Sequence, residues 1–199
     1  MMSKLQPLGN FRRMGLNPSY VTTLVAVCLA FGSAYADVQS DPQPISPDIT
    51  DIQAGVICPP PITGTVAAPD TVAGTTHVID IEPSFVAQTH IVPAVIGLGF
   101  GVKSRTTQDG GLAGVTMVVT HPPMGPDKTT TQSFTTRIND NSASLSFYQF
   151  DYAYELLVGE WEMTAWLDER ILYQVNFDVV APQAAPGLAD VCGFADLLS

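Results

Sequence analysis

The sequence is poor in positive charge. It has eight lysine and arginine residues against nineteen aspartates and glutamates, which gives the 199-residue chain a formal net charge of −11. Such an acidic surface repels nucleic-acid phosphates and anionic lipid headgroups, so we expect no nucleic-acid partner and no electrostatic docking to membranes. The acidity is compatible with cationic ligands or a basic partner surface, and a high net charge also keeps a protein in solution.

Long apolar runs are scarce as well. The apolar stretch from Tyr20 to Ala36 has 17 residues, fewer than the ~20 that a membrane-spanning helix needs. Basic residues precede it, and it ends in Ala34-Tyr35-Ala36, the small residues of an A-x-A cleavage site. This three-part order is typical of a secretory signal peptide. We therefore predict a signal peptide over residues 1–36, cleavage after Ala36, a periplasmic or secreted location, and no membrane span after cleavage.

The chain has only three cysteines, and Cys28 is removed with the predicted signal peptide. Cys58 and Cys192 remain, and two cysteines in an oxidising compartment are expected to pair. A redox pair normally has C-x-x-C spacing and a metal site needs further ligands nearby, and the sequence has neither pattern. We predict a structural disulfide between Cys58 and Cys192, no metal site and no cofactor.

No long amphipathic helix is evident, and the 16 prolines are unevenly spread. Residues 37–75 contain seven of them, and each removes a backbone donor and fixes φ, so we expect an irregular Pro-rich arm that is mobile at its start. Residues 182–199 are rich in alanine, glycine and proline. We expect them to form a tail that is tethered through Cys192 and contains a short helix between Leu188 and Leu198.

Residues 76–181 have the pattern of short strands separated by turn residues. The clearest case is the last pair, Trp161 to Leu167 and Ile171 to Val179, where apolar and polar residues alternate on either side of a turn at Asp168-Glu169-Arg170. Earlier strands are predicted at His77–Glu82, Ile96–Arg105, Gly114–Thr120, Thr131–Ile138 and Ser144–Phe150. This pattern predicts an all-β domain, an immunoglobulin-like antiparallel β-sandwich, with a small barrel as the alternative.

An aromatic ligand patch is predicted from the same alternation. It puts Trp166 on the sheet face opposite Trp161, so Trp166 is expected to point outward. Together with Tyr148, Tyr152 and Tyr154 it would form a binding patch, for which an envelope protein or a glycan is the expected partner. The interpretation that we favour, however, is that the arm or the tail, held there by the predicted disulfide, covers this face.

Sequence motifs typical of catalytic, nucleotide-binding or metal sites are absent or incomplete. The sequence has no G-x-S-x-G and no cysteine free to attack, so we predict no catalytic residue. From Gly97 to Gly101 every second residue is glycine, and we interpret this as a strand approached by another backbone or by a ring such as that of Trp161. The Pro-rich loop predicted at His121, with Met124 three residues on, is a weak copper candidate, because one imidazole and one thioether do not fill a coordination sphere.

Several segments together resemble a known family. They are ITDIQAGVICPPP, APDTVAG, VPAVIGLGFGV, THPPMGP and YELLVGEWEMTAWLDERILYQVNFDVV. The combination is similar to an uncharacterised bacterial family of exported proteins, described as a domain of unknown function, over roughly residues 50–195. The resemblance implies an exported β-rich domain and supplies no activity, cofactor or catalytic residue.

These features favour an exported, non-enzymatic binding or structural module of the bacterial cell envelope. The alternative is a periplasmic hydrolase of glycans or peptides whose site forms only in three dimensions, and a weaker alternative is metal handling through the His121 loop. Exposed aromatic residues without a deep polar cleft would favour the module. A pocket in which two acids, or a histidine and a serine, converge with perturbed pKa values would favour the hydrolase.

Overall fold

The computed structural model describes residues 44–193, and β-strands dominate them. The strands are β1 Ile49–Ile57, β2 Ile62–Ala67, β3 Thr75–Ile79, β4 Ile91–Pro93, β5 Gly99–Thr106, β6 Leu112–Met124, β7 Thr129–Ile138, β8 Ser144–Gln149, β9 Gly159–Leu167 and β10 Arg170–Val180. Short 3₁₀ turns lie at Ala153–Glu155 and Pro182–Ala184, and a one-turn helix, α1, lies at Pro186–Ala189. The predicted signal peptide, residues 1–36, lies outside the described residues.

The strands form three sheets. The five-stranded sheet has the order β4-β10-β9-β6-β7, the three-stranded sheet has the order β1-β5-β8, and β2 and β3 form a separate hairpin. The pairs are antiparallel except for the short contact between β4 and β10. The two larger sheets share a buried core that includes Phe100, Val102, Met117, Trp161 and Phe177. The predicted all-β sandwich of mainly antiparallel sheets is therefore confirmed.

The β9–β10 hairpin forms as the alternation predicts. Trp161, Met163 and Ala165 are fully buried on the inner face of β9, and the register pairs Leu167 with Arg170 across the turn. Asp168 occupies the left-handed region at φ 55°, which short polar side chains tolerate in tight turns. The turn is two residues long, so the two strands are necessarily antiparallel neighbours.

The Pro-rich arm was expected to be irregular throughout, and this is wrong for two stretches. Residues 49–57 form β1, which pairs with β5, and residues 62–67 form β2, which pairs with β3. Both strands occupy windows without proline, because the seven prolines of the arm fall before β1, between β1 and β2, or after β2. A proline-rich composition therefore marks the ends of these strands and does not exclude the strands themselves.

His121 was predicted to lie in a loop, and this also needs correction. Strand β6 continues through His121, Pro122 and Pro123 to Met124, and the register with β7 shifts between Thr120 and Met124. A bulge of this kind lets a strand carry residues that cannot donate to the ladder. His121 is consequently a buried strand residue, 3% exposed.

The tail helix is shorter than predicted. The structure has α1 at Pro186–Ala189, and Cys192 lies in the turn that follows instead of in a helix. Asp190 caps this helix at φ −95° and ψ −7°, and the N–H of Gly193 donates to the Asp190 carbonyl at 2.9 Å in a separate turn. Residues 194–199, the rest of the predicted helix, lie outside the described residues.

The Cys58–Cys192 disulfide predicted from the cysteine count is present. It joins the residue after β1 to the turn after α1, over a sequence separation of 134 residues. The two Cα atoms are 5.4 Å apart, an ordinary spacing for a bridged pair. Among the described residues no helix is long and apolar enough to cross a membrane.

The glycines of β5 are explained by a neighbouring backbone and not by Trp161. Phe100 points into the core and meets the ring of Trp161 at 5.7 Å, so the flanking glycines face the other way. A Cβ placed on Gly101 would lie 2.7 Å from the Cα of Phe147 on β8, and one on Gly99 would lie 2.7 Å from the side chain of Ile57. The prediction of a close backbone is correct, and the suggested ring is on the opposite face.

We expect Gly101→Ala to destabilise the protein by about 1–3 kcal/mol, because the added methyl group forces β8 away from β5. Gly64→Ala is the matched control, since Gly64 is also a strand glycine and its Cβ would meet only Val78, at 4.0 Å. Urea unfolding of the two variants checks this. Equal stabilities for Gly101→Ala and Gly64→Ala would contradict the assigned role.

Candidate ligand cleft

A cleft lies along the open side of the sandwich. Strands β7 and β8 end their respective sheets there, so each has an edge that pairs with no further strand of the two larger sheets. The hairpin β2–β3 lies over this opening, and we call it the cover hairpin. Between the cover hairpin and the two terminal strands is a cavity of about 430 Å³, which we call the seam cleft. Its volume is within the range of ordinary ligand pockets.

The tip of the cover hairpin is attached to β7. The backbone N–H of Val72 donates to Oε1 of Gln132 at 2.7 Å, and the N–H of Ser133 donates to the carbonyl of Asp70 at 3.1 Å. These bonds hold the turn between β2 and β3 against one wall of the seam cleft.

The strand side of the cover hairpin is attached near the end of β8. His77 Nε2 lies 2.6 Å from Oδ2 of Asp151, and the amide of Gln149 donates to Oδ1 of the same carboxylate at 2.8 Å. Both side chains of the His77–Asp151 pair are about a quarter exposed, at 24% and 29%. The pair therefore lies at the border of the seam cleft, where water reaches it.

Gln132 connects the cover hairpin to a buried polar cluster. Its Nε2 lies 2.9 Å from His121 Nε2 and 3.3 Å from the hydroxyl of Tyr148, and Sδ of Met124 is a third neighbour at 3.7 Å. His121 Nδ1 lies 2.8 Å from the carbonyl of Pro122, so Nδ1–H donates there and Nε2 accepts from Gln132. This arrangement requires a neutral imidazole. Burial lowers the pKa of His121 and so favours the same neutral form.

We expect His121 to make stability depend on pH. The unfolded chain takes up a proton at this residue near the ordinary pKa of 6.5, whereas the folded protein resists it to lower pH. The contribution to the free energy of unfolding is therefore complete above pH 6.5 and is lost as the pH falls below it. Urea unfolding at about pH 7.5 and about pH 5 should show a larger loss for the native protein than for His121→Gln. Parallel pH profiles would contradict this.

Glu155 is a buried acid at the end of the seam cleft. It is 4% exposed, and burial raises the pKa of its carboxyl group. Oε1 accepts from the hydroxyl of Tyr148 at 2.9 Å, and Oε2 accepts from the backbone N–H groups of Asp151 and Tyr152 at 2.6 and 2.8 Å. Both oxygens are thus engaged in holding the 3₁₀ turn after β8, which is a structural task.

The predicted aromatic patch is divided by the fold. Tyr148 packs against Trp161 at 5.1 Å and burial raises the pKa of its hydroxyl, so it remains a hydrogen-bond donor to Glu155. Tyr152 and Tyr154 are exposed and stack on each other at 5.2 Å. Tyr148 and Tyr152 line the seam cleft.

Trp166 is separate from these tyrosines. It lies half-buried on β9, in register with Thr116 of β6 and Ile171 of β10. Within residues 44–193 no ring contact joins Trp166 to another aromatic side chain. The structure therefore places two of the four predicted patch residues at the seam cleft and Trp166 in the other sheet.

No metal centre can be assembled from the described part of the chain, where no three histidine, cysteine, aspartate or glutamate residues come together. Both ring nitrogens of His121 already have hydrogen-bond partners, and Met124 contacts Gln132. The seam cleft presents hydroxyl and amide groups, a few apolar side chains, and the border pair of His77 and Asp151.

Sequence reasoning did not find the seam cleft. Gln132 is the residue that could have pointed to the seam cleft, because it is a polar residue at an inward position of β7, opposite Val119. Such a residue is expected to have a specific hydrogen-bond partner. The partner, Val72, is 60 residues away in sequence, and nothing local identifies it.

The chain is similar to a described protein family and to a solved structure. The family model "Domain of unknown function (DUF3859)" matches residues 46–179. A crystal structure described as an immunoglobulin-like protein from Pseudomonas aeruginosa is similar at 21% sequence identity, with a TM-score of 0.46, and the match covers 72% of this chain and 99% of that one. No curated protein matches the chain.

Proposed function

The chain belongs to the family Domain of unknown function (DUF3859), and from this premise we propose that it is an exported, non-enzymatic binding module of the bacterial cell envelope whose ligand occupies the seam cleft. The observation that carries the proposal is the cavity of about 430 Å³ beneath a hairpin that is fastened at its turn and at His77, in the middle of β3. A cover of this kind admits a ligand without disturbing the core of the sandwich.

The hydrogen bonds of the buried titratable residues support a binding function over a catalytic one. A general acid or base needs a group within reach of substrate and free to exchange its proton. Glu155 has both oxygens engaged by Tyr148 and by backbone donors, and His121 is locked between Pro122 and Gln132. These buried groups rigidify the floor of the seam cleft and leave its polar rim for recognition.

Export is supported by two independent features. The first 36 residues have the order of a signal peptide, and the disulfide is of a kind that persists in oxidising compartments. Cell fractionation and N-terminal sequencing test this. We expect a mature protein that begins at Asp37, is found outside the cytoplasm and has no free thiol. A cytoplasmic product with an intact N-terminus would refute the export proposal.

Occupation of the seam cleft can be tested in living cells. A photo-crosslinking amino acid at Phe147, which lines the cleft, should capture an envelope component. The same amino acid at Thr116, exposed on the outer face of the five-stranded sheet, is the control and should capture little. Equal labelling from both positions, or none from Phe147, would count against the seam cleft as the binding site.

A hydrolase is the second candidate, and one observation favours it. His77 and Asp151 form a histidine–carboxylate pair at the border of the cleft, and within the described residues Nδ1 of His77 has no hydrogen-bond partner. Such a pair could serve as a general base. Incubation of the exported protein with peptidoglycan and with casein decides the matter. Fragment release that is lost in His77→Gln and Asp151→Asn would replace the binding proposal by a hydrolase.

A further inference from the structure

The seam cleft lies against the edge of β8 and not against one of its faces. Five consecutive residues of this strand, Leu145–Gln149, line the cavity. Consecutive residues of a strand point to opposite faces, so a cavity that contacts all five must run along the side of the strand.

The backbone of β8 is unpaired on that side. Strand β8 is the last strand of its sheet, and its ladder runs to β5 alone. In an antiparallel pair every second residue of a terminal strand directs its N–H and C=O groups away from the sheet. Within residues 44–193 no other backbone group forms a hydrogen bond with the backbone of Leu145–Gln149.

The cover hairpin crosses this edge without pairing to it. Its hydrogen bonds to the rest of the described chain are with Gln132 and Ser133 of β7 at its tip and with Asp151 at His77, in the middle of β3. The cover hairpin therefore lies beside the free edge of β8, and within the described residues no backbone group pairs with that edge.

Side chains in the seam cleft suit an extended chain. Phe134 of β7 and Leu145 and Phe147 of β8 are half-buried apolar residues of its walls. They provide contacts for alternate side chains of an added strand, which is how sheet-edge recognition obtains its specificity.

The charged residues that line the seam cleft restrict the charge of a ligand that can bind there. Of the described residues that line the cavity, Asp151 and Glu155 are acidic, His77 is the one basic type, and none is lysine or arginine. An acidic segment would be repelled, whereas a neutral or basic segment would find a complementary surface.

We propose that β8 accepts a strand from a partner protein: an extended, neutral or basic segment that enters the seam cleft and pairs with the free edge of β8 beneath the cover hairpin. This rests on the proposed binding function and specifies the class of its ligand as polypeptide. Main-chain hydrogen bonds to β8 supply affinity, and the apolar walls select the segment.

The test uses a display library of random linear peptides, selected on the exported, disulfide-bonded protein. We expect selected peptides of neutral or positive charge that slow hydrogen exchange of alternate amides of β8. An analogue N-methylated at alternate residues loses backbone donors while keeping its side chains, and it should bind about tenfold or more weakly. Failure to select any peptide, protection elsewhere, or equal binding of the N-methylated analogue would overturn the proposal.

A matched pair of protein variants locates the site. Leu145→Lys puts a positive charge in the seam cleft and should weaken binding of a basic selected peptide about tenfold or more. Thr116→Lys makes the same change of charge on the outer face and should leave binding unchanged. Equal effects of the two variants would refute the location. If the crosslinker at Phe147 captures glycan instead of protein, strand addition is wrong while the binding function stands.

Discussion

Trp161→Ala should lower the free energy of unfolding by about 3–5 kcal/mol. Trp161 is fully buried, and its ring meets those of Phe100, Phe150 and Tyr148 at 5.7, 5.7 and 5.1 Å, in edge-on orientations. Truncation removes these contacts and leaves a cavity between the two sheets, which the surrounding strands fill only in part. Because Tyr148 is also part of the polar cluster, the seam cleft should lose rigidity as well.

The indole nitrogen adds to this effect. Trp161 Nε1 donates to the carbonyl of Leu157 at 2.9 Å, so the alanine variant also leaves a partly buried acceptor without its donor. Trp161→Phe keeps part of the volume and loses the hydrogen bond, and we expect it to fall between the native protein and the alanine variant. Urea unfolding followed by circular dichroism measures all three.

Trp166→Ala is the control for Trp161→Ala. It removes the same side chain from the same strand, but from the half-buried outer face, where no aromatic ring of the described residues packs on it. We expect it to cost at most about 2 kcal/mol, because less apolar surface is removed from contact. A loss as large as that of Trp161→Ala would mean that Trp166 is covered by residues outside the described part of the chain or by a partner.

Replacing Cys58 and Cys192 together by serine should cost about 2–5 kcal/mol. The bridge joins residues 134 apart, so its removal releases nearly the whole domain to explore open conformations when it unfolds. The effect comes mainly from the unfolded chain, and the native sheets should persist. Equilibrium unfolding with and without reductant measures the loss.

The double serine variant is also the control for the unfolding experiment with reductant. Reductant should destabilise the native protein to the level of the variant and have no effect on the variant itself. If reductant leaves the stability of the native protein unchanged, the bridge contributes nothing, and the long closed loop is not a source of stability.

The parts of the fold that could be predicted are those whose determining residues lie close together in the sequence. The β9–β10 hairpin was found because strict alternation and a two-residue turn are local properties. Strand β1 was missed because its neighbouring prolines dominate the composition of residues 37–75. Strand β4 has only three residues, Ile91–Pro93, and is defined by its partner β10, which lies almost 90 residues later.

The candidate site was less predictable, for a physical reason. The seam cleft exists because the cover hairpin is tied to Gln132 and Asp151, residues 60 and 74 positions from their partners. Composition shows that such polar groups need partners and does not say which ones they find. The four predicted patch residues do not form one surface, for the same reason. Tyr148 and Trp166 belong to different sheets, and alternation within one strand does not show how that strand lies relative to another.

The position of the disulfide has a mechanical consequence. Tension applied to the N-terminus of the domain would run along β1, the strand that directly precedes Cys58 in the chain. The load would then pass through the sulfur–sulfur bond to Cys192, near the other end of the described chain, and bypass everything in between. Because β1 is already extended, a segment anchored at both termini would transmit a pull with little lengthening, as a tether of fixed reach.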